Sequence, residues 1–175
     1  LGVLRVGHLV EADRSSHVAG YVGQPAIKTH AVVQSALGGV LFIDEAYSLV
    51  SDAQDTFGRE ALDTLIKLVE DYRGALVVIL AGYNDEMNVL LSHNPGVRSR
   101  FPTVIEFANY SSDELMEIFQ SMIKNDDLVL DGEAEGAFAE RFRRMGMVED
   151  KENGNGRAVR NVIEQAKRRQ ALRLQ

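Results

Sequence analysis

The chain has 175 residues, of which 45% are hydrophobic and 26% charged, as expected for a globular protein with one core or a core plus a small second unit. Its 19 Lys and Arg residues against 26 Asp and Glu residues give a formal net charge of −7, which argues against general nucleic-acid binding because phosphate contacts need clustered cations. Cysteine is absent, which excludes disulfides, and no membrane-length apolar run or signal peptide is visible, so we expect a cytoplasmic or organelle-stromal protein without membrane contact.

The first part of the chain alternates between strand-like and helix-like segments. Val40–Ile43 is a continuous apolar run, as expected for a strand buried on both faces. Such alternation predicts an α/β fold with a parallel sheet. The predicted elements are strand His8–Ala12, helix Ile27–Leu37, strand Val40–Ile43, helix Thr56–Tyr72, strand Ala75–Ala81, helix Asp85–Leu91, turn Asn94–Gly96 and strand Thr103–Phe107.

The chain changes character after Asn109, where only helical patterns follow. Ser111 or Ser112 is the predicted N-cap of the first of these helices, because Asp and Glu occupy the turn that follows. We therefore predict an α/β core over residues 1–109 and a small all-helical domain over residues 110–175. The predicted helices are Asp113–Lys124, Glu133–Met145 and Arg157–Leu172, with a polar loop at Asp150–Gly156.

An acidic pair, Asp44 and Glu45, directly follows the apolar strand Val40–Ile43 and completes a Walker B pattern. The carboxyl ends of parallel strands open onto the crevice where α/β sheets bind ligands. There the first acid can hold Mg²⁺ and the second can polarise an attacking water. The alternative is a strand that ends in an ordinary acidic turn.

An aromatic-aliphatic-glycine triplet, Tyr21-Val22-Gly23, lies about twenty residues before the acidic pair. An exposed aromatic ring there can grip an extended polypeptide with little sequence specificity. On spacing alone, a tight turn with Tyr21 packed on the surface is the better explanation. Pro25 follows closely and is expected to stiffen the loop.

Several polar residues outside the acidic pair are candidate nucleotide contacts. Arg98 and Arg100 beside a turn are either surface residues or arginine fingers that reach a neighbouring subunit's γ-phosphate. Tyr83 and Asn84 follow the strand Ala75–Ala81, at the position where related folds carry a phosphate-sensing side chain. Arg157 begins the last helix, whose other cations are best interpreted as a solvated basic face.

Taken together, these motifs closely resemble the CbbX/CfxQ group of AAA+ ATPases, which includes red-type Rubisco activases. The resemblance covers nearly the whole chain in the family's order and spacing. It is carried by His8–Glu11, Gly20–Gln24, Gly38–Leu49, Ala81–Tyr83, Asn94–Phe101 and Gly154–Asn161.

The resemblance implies a role for each matching residue and an architecture for the whole. The fold would be a AAA+ P-loop NTPase core with sheet order 5-1-4-3-2, followed by a helical lid. The protein would form a homo-hexameric ring that binds ATP between subunits and remodels a protein substrate, with Rubisco as one candidate client. The implied roles are Mg²⁺ binding by Asp44, catalytic base for Glu45, pore-loop grip for Tyr21, Val22 and Gly23, arginine finger for Arg100 with Arg98 second, phosphate sensing by Tyr83 or Asn84, and sensor 2 for Arg157.

One element of the family pattern is missing from these residues. No Gly-x-x-x-x-Gly-Lys-[Ser/Thr] motif, whose backbone N–H groups cradle the β- and γ-phosphates, occurs in the sequence. We expect that the motif and the strand before it lie upstream, which leaves a gap between the strands Ala75–Ala81 and Thr103–Phe107. The isolated chain is then expected to bind ATP poorly and to fold marginally.

Two alternative functions accompany the motor hypothesis. A catalytically inactive AAA+ module that scaffolds an assembly has no physical need for Asp44, Glu45, Arg100 and Arg157 together. A nucleic-acid-directed AAA+ ATPase is disfavoured by the net charge of −7 and by the Tyr21 loop. The leading hypothesis is an ATP-hydrolysing remodeller of proteins.

Overall fold

The structure is a computed structural model that describes residues 4–18, 20–50, 52, 54–146 and 155–173. Contacts within the chain divide it into two compact units, residues 1–106 and residues 107–175. Each unit has its own hydrophobic cluster, so each is described by itself.

The first unit is built on a parallel three-stranded sheet in the order β1-β2-β3. The strands are in register, so that Leu9, Val40 and Val77 are side by side. The predicted α/β class and the parallel sheet are confirmed. Its elements are β1 (Leu9–Ala12), α1 (Arg14–His17), α2 (Gln24–Ser35), β2 (Val40–Ile43), a 3-10 helix (Ala46–Leu49), α3 (Thr56–Asp71), β3 (Val77–Leu80), α4 (Asn84–His93) and α5 (Pro95–Arg100).

One face of the sheet carries the core of this unit. Leu41 and Ile43 of β2 are fully buried, together with apolar residues of α2 and α3. The opposite face is open within the described residues, because Leu9, Val77 and Ile79 are 57%, 37% and 44% exposed. Alternating burial along each strand follows from the period of two in side-chain direction.

The predicted strand Thr103–Phe107 is wrong, since residues 101–110 form no helix or strand. Val104, Ile105 and Phe107 stay 65%, 74% and 88% exposed. A strand exists only through hydrogen bonds to a neighbour, and the described sheet ends at β3 with no strand next to it. Residues 103–107 therefore have the composition of a strand but no neighbouring strand in the described sheet to pair with. The predicted turn Asn94–Gly96 is instead the start of α5, capped by the Asn94 side chain.

The second unit consists of three described helices, α6 (Ser112–Asn125), α7 (Gly132–Gly146) and α8 (Gly156–Arg173). Ser111 caps α6 in a reciprocal capping box with Glu114, so the predicted cap is confirmed. The core of this second unit is aromatic, with the ring centroid of Phe119 4.5 Å from that of Phe138 and 5.3 Å from that of Phe142. Residues 150–154 of the predicted loop Asp150–Gly156 lie outside the described residues. Within the described chain, no helix is both long and apolar enough to traverse a bilayer.

His17, at the end of α1, is completely buried beside Thr29 of α2, with 3.2 Å between Nδ1 and Oγ1. Its Nε2 has no hydrogen-bond partner. Burial disfavours the imidazolium and lowers the pKa of His17 from 6.5 to about 4, against the opposing pull of the Asp13 carboxylate. The unfolded chain therefore takes up a proton at a pH where the folded chain does not.

We predict that His17 makes stability fall as pH drops from 6.5 towards 4, by about 3 kcal/mol over the full interval. His17→Gln, which keeps a polar partner for Thr29, should remove that part of the slope. The measurement is the free energy of unfolding by urea at several pH values. His30→Gln, at an exposed position of α2, is the matched control and should keep the wild-type slope. Parallel slopes for wild type and His17→Gln would contradict the assignment.

Candidate functional site at the carboxyl end of the sheet

Asp44 marks the point where β2 ends and the chain opens onto the edge of the sheet. Its N–H donates to the carbonyl of Ala12 at 3.1 Å, which continues the pairing of β1 and β2 by one residue. Its Oδ1 accepts from the N–H of Glu45 at 3.0 Å. Both carboxylates are exposed, so the acidic pair stands at the carboxyl ends of two adjacent parallel strands.

Glu45 adopts a left-handed backbone conformation, with φ 47° and ψ 45°. This region costs a residue with a Cβ about 1–2 kcal/mol and is typical of functional sites that the surrounding fold holds in place. Here the next turn holds the Glu45 backbone in place, because Ala46 and Leu49 of the 3-10 helix are 0% and 1% exposed, respectively. The Ala46 N–H also donates to the carbonyl of Ala81 at 2.9 Å. Glu45 is thereby fixed with its side chain in solvent.

The end of β3 lies against the same turn. The ring centroids of Tyr47 and Tyr83 are 6.4 Å apart, and Gly82 directly precedes Tyr83. A Cβ on Gly82 would come within 2.8 Å of the Tyr47 ring and 2.9 Å of the Met87 sulfur, so glycine permits this approach. Burial, with the negative charges of Glu45 and Glu86, raises the pKa of the Tyr47 phenol, which therefore stays a proton donor at neutral pH.

Tyr83 and Asn84 stand where β3 gives way to α4. Tyr83 is the N-cap residue of α4 and makes no side-chain capping bond, and it is 58% exposed. Asn84 is the first residue of the helix and is exposed. Both side chains are therefore accessible beside the acidic pair's turn.

An open cleft of about 820 Å³ lies at the acidic pair. Hydrogen bonds from Ser15 and Ser16 lower the pKa of Asp13, so this carboxylate is ionised at neutral pH. Asp44 and Glu45 also line the cleft, and carboxylate oxygens are the ligands that Mg²⁺ prefers. Among the described residues no three His, Cys, Asp or Glu side chains converge on a metal site, so an Mg²⁺ ion held by Asp44 would keep water among its ligands. The lining residues are Asp13, Arg14, Ser15, Val18, Gly20, Asp44, Glu45, Ser48 and Phe57.

The loop with the aromatic triplet projects from the unit between α1 and α2. Tyr21 and Val22 are 74% and 89% exposed, which is unusual for large apolar side chains. Gly23 has φ 82°, a conformation that favours glycine, and its N–H donates to Glu60 at 3.4 Å. Pro25 is fully buried in the first turn of α2, so it fixes the helix start rather than the loop tip.

The two candidate finger residues lie on α5, and their environments differ. Arg100 folds back on its own chain, with Nε 3.6 Å from a carboxylate oxygen of Glu70 and Nη1 3.4 Å from the carbonyl of Gly96. Its side chain is 31% exposed. Arg98 is exposed. In this conformation Arg98 is the more accessible of the two guanidinium groups.

Arg157 is the second residue of α8, in the helical unit, and is exposed. The turn before it is held by Asn155, whose Nδ2 donates to Oδ1 of Asn109 at 2.7 Å and whose Oδ1 accepts from the N–H of Tyr110 at 3.1 Å. Within its unit, the start of α8 is therefore fixed to the segment that precedes α6. The structure brings Asp44, Glu45 and Tyr83 to one edge of the first unit.

Comparison with known proteins agrees with both units. Residues 5–109 match the model of the ATPase family associated with various cellular activities, and residues 111–175 match the AAA lid domain. The chain is 46% identical to stage V sporulation protein K of Bacillus subtilis, 43% to protein CbbX of Cereibacter sphaeroides and 44% to the ESX-1 secretion system protein EccA1 of Mycobacterium tuberculosis. Each match covers 99% of this chain but only 54%, 56% and 32% of those relatives. The chain belongs to the AAA family of ATPases and comprises a AAA core followed by a AAA lid domain.

Proposed function

We propose that this chain supplies the hydrolytic face of an ATP-driven, ring-forming motor that remodels proteins. The observation that carries the proposal is the Asp44-Glu45 turn at the open carboxyl end of the sheet. Buried Ala46 and Leu49 hold Glu45 in a left-handed conformation with its carboxylate in the acidic cleft. Asp44 would hold Mg²⁺, which neutralises phosphate charge when bound, and Glu45 would accept a proton from the attacking water.

The second part of the proposal concerns neighbouring subunits. An arginine that contacts the nucleotide of its own subunit does not need to be exposed at the end of a helix. On α5, Arg98 is exposed to solvent and Arg100 is partly exposed at the surface. Such groups stabilise the transferring phosphoryl when a neighbour supplies them. We infer that ATP is hydrolysed between copies of this chain in a homo-hexameric ring.

The third part concerns the substrate. A protein client is favoured because Tyr21 and Val22 form an exposed apolar tip on a loop anchored at both ends, by α1 and by buried Pro25 of α2. Such a tip can hold an extended polypeptide through stacking and apolar contact, independently of its sequence. The net charge of −7 disfavours a nucleic-acid client.

If Glu45 is both the catalytic base and a residue with a strained backbone, its replacement by glycine should lower activity and raise stability. In the full-length gene product, Glu45→Gln should lower ATP turnover at least about hundredfold and leave nucleotide affinity unchanged, because only the base is lost. Glu45→Gly should also abolish turnover but raise the stability of the chain by about 1 kcal/mol, because glycine adopts positive φ freely. Glu45→Ala is the control, as it loses the base and keeps the backbone cost. Turnover by Glu45→Gln at the wild-type rate would exclude Glu45 as the base.

A subunit-mixing experiment tests the supply of an arginine in trans. Arg100→Ala and Glu45→Gln homo-oligomers should each be inactive, and mixing them should restore part of the ATPase rate. In the mixed ring an intact Glu45 faces an intact Arg100 on the neighbour. The same mixing with Arg98→Ala shows which arginine acts. Mixtures that recover nothing, for either arginine, would contradict hydrolysis between subunits.

The Tyr21 loop yields a separate prediction. Tyr21→Ala should leave basal ATP turnover within about twofold, because the loop is outside the acidic pair, and should reduce ATP-dependent unfolding of a fluorescent protein with an unstructured tail at least about tenfold. Tyr21→Phe, which keeps the ring, is the matched control and should retain most of the activity. Equal unfolding rates for Tyr21→Ala and wild type would remove the protein-gripping role.

A further inference from the structure

Arg14, the first residue of α1, makes a set of contacts that the acidic pair and the loop do not account for. Its Nη1 lies 2.6 Å from the carbonyl oxygen of Ser48 and 2.7 Å from that of Leu49. The same nitrogen is 2.7 Å from Oδ2 of Asp55. One guanidinium nitrogen therefore joins three oxygens from the segment that follows Glu45.

The two carbonyls belong to the last turn of the 3-10 helix Ala46–Leu49. The final carbonyls of a helix have no partner within it and carry the negative end of its dipole, so a cation is favourable there. Glu45 is the N-cap of the same short helix. Arg14 therefore holds the end of the helix opposite to Glu45, and the two residues are separated by a single rigid turn.

The third oxygen ties this turn to α3. Asp55 is the N-cap of α3 and accepts from the N–H of Gly58 at 2.8 Å. Its side chain is only 7% exposed, and a carboxylate so buried needs a paired cation. Gly58 itself is packed against Leu49, since a Cβ there would come within 2.0 Å of the Leu49 carbonyl oxygen. The Leu49 carbonyl that Arg14 contacts is therefore packed so closely against position 58 that only glycine fits there.

We propose that Arg14 is a positioning residue for hydrolysis. It fixes the 3-10 helix between Arg14 and Gly58, and thereby fixes the position of the Glu45 carboxylate in the cleft. This inference rests on the proposed function of Glu45. Arg14 acts through the backbone of Ser48 and Leu49, which its Nη1 contacts. Its side chain is 34% exposed and borders the cleft, so the effect on KM separates this role from phosphate binding.

The test is the separation of kcat from KM in the ATPase reaction of the full-length gene product. Arg14→Met should lower kcat on the order of tenfold or more, because a displacement of about 1 Å at a reacting group costs about a hundredfold. KM for ATP should stay within about twofold, since no ATP contact is lost. All three contacts are made by one nitrogen, and the Lys ammonium carries three donors on one nitrogen but has a shorter reach, so Arg14→Lys should retain more of kcat than Arg14→Met. The control is Arg59→Met, the same change at an exposed arginine of α3, which should have the wild-type kcat.

A second variant reaches the same carbonyl from the other side. Gly58→Ala keeps the Arg14 side chain but pushes on its partners, since the added Cβ would come within 2.0 Å of the Leu49 carbonyl oxygen and 2.5 Å of Asp55 Oδ2. It should therefore reproduce the loss of kcat with KM held. If Arg14→Met fails to fold because the ion pair with Asp55 is lost, Arg14→Lys keeps that charge and still reports on the carbonyl contacts. Circular dichroism and a melting curve establish folding for each variant.

Each outcome decides between defined alternatives. Wild-type kcat in folded Arg14→Lys and Arg14→Met would overturn the inference, and so would a raised KM with unchanged kcat, which indicates phosphate binding. Glu45→Gln serves as the reference for the proposed function. If Glu45→Gln still hydrolyses ATP, the proposed function fails; if it does not and the Arg14 variants match wild type, this inference alone fails.

Discussion

The candidate site depends on the parallel, in-register pairing of β1, β2 and β3. Because the three strands end together, Ala12, Ile43 and Leu80 occupy the last positions of one edge. The backbone bonds just beyond this edge continue the pairing, from Asp44 to Ala12, from Ala81 to Ile43 and from Ala46 to Ala81. The acidic pair is therefore anchored by main-chain hydrogen bonds on both sides before any side chain contributes.

A second constraint acts immediately after the pair. The fold buries Ala46 and Leu49, and the chain enters this turn through Glu45 in a left-handed conformation. The free-energy cost of that conformation is offset by the packing and hydrogen bonds of the turn. Close approaches at Gly58 and Gly82 complete the arrangement, since a single methyl group at either position would displace the turn or the Tyr47 ring. A strained Glu45 backbone between two glycine-dependent contacts is a rigid arrangement, as the proposed role of Glu45 requires.

Most elements of the fold could be predicted from local patterns. The apolar run Val40–Ile43 predicted β2, and the spacing of buried residues in α3 predicted that helix, because both signals depend on neighbours in sequence. The segment 103–107 has the same kind of composition and forms no strand, since pairing requires an adjacent strand that composition cannot reveal. The segment 95–100 was predicted to begin as a turn and forms α5, where Asn94 and Pro95 together make a favourable helix start.

The sequence by itself determined the acidic pair and the triplet Tyr21-Val22-Gly23, because each is a contiguous motif whose chemistry depends on residue type. It also determined the family, because several such motifs follow one another in the family's order and spacing. The tertiary structure alone decided the left-handed conformation of Glu45, the exposure of Tyr21, the retention of Arg100 by Glu70 and the contacts of Arg14. Arg14 has no sequence signature, since two of its three partners are backbone carbonyls 34 and 35 residues away. Any residue type presents the same carbonyl, so such a contact exists only once the chain has folded.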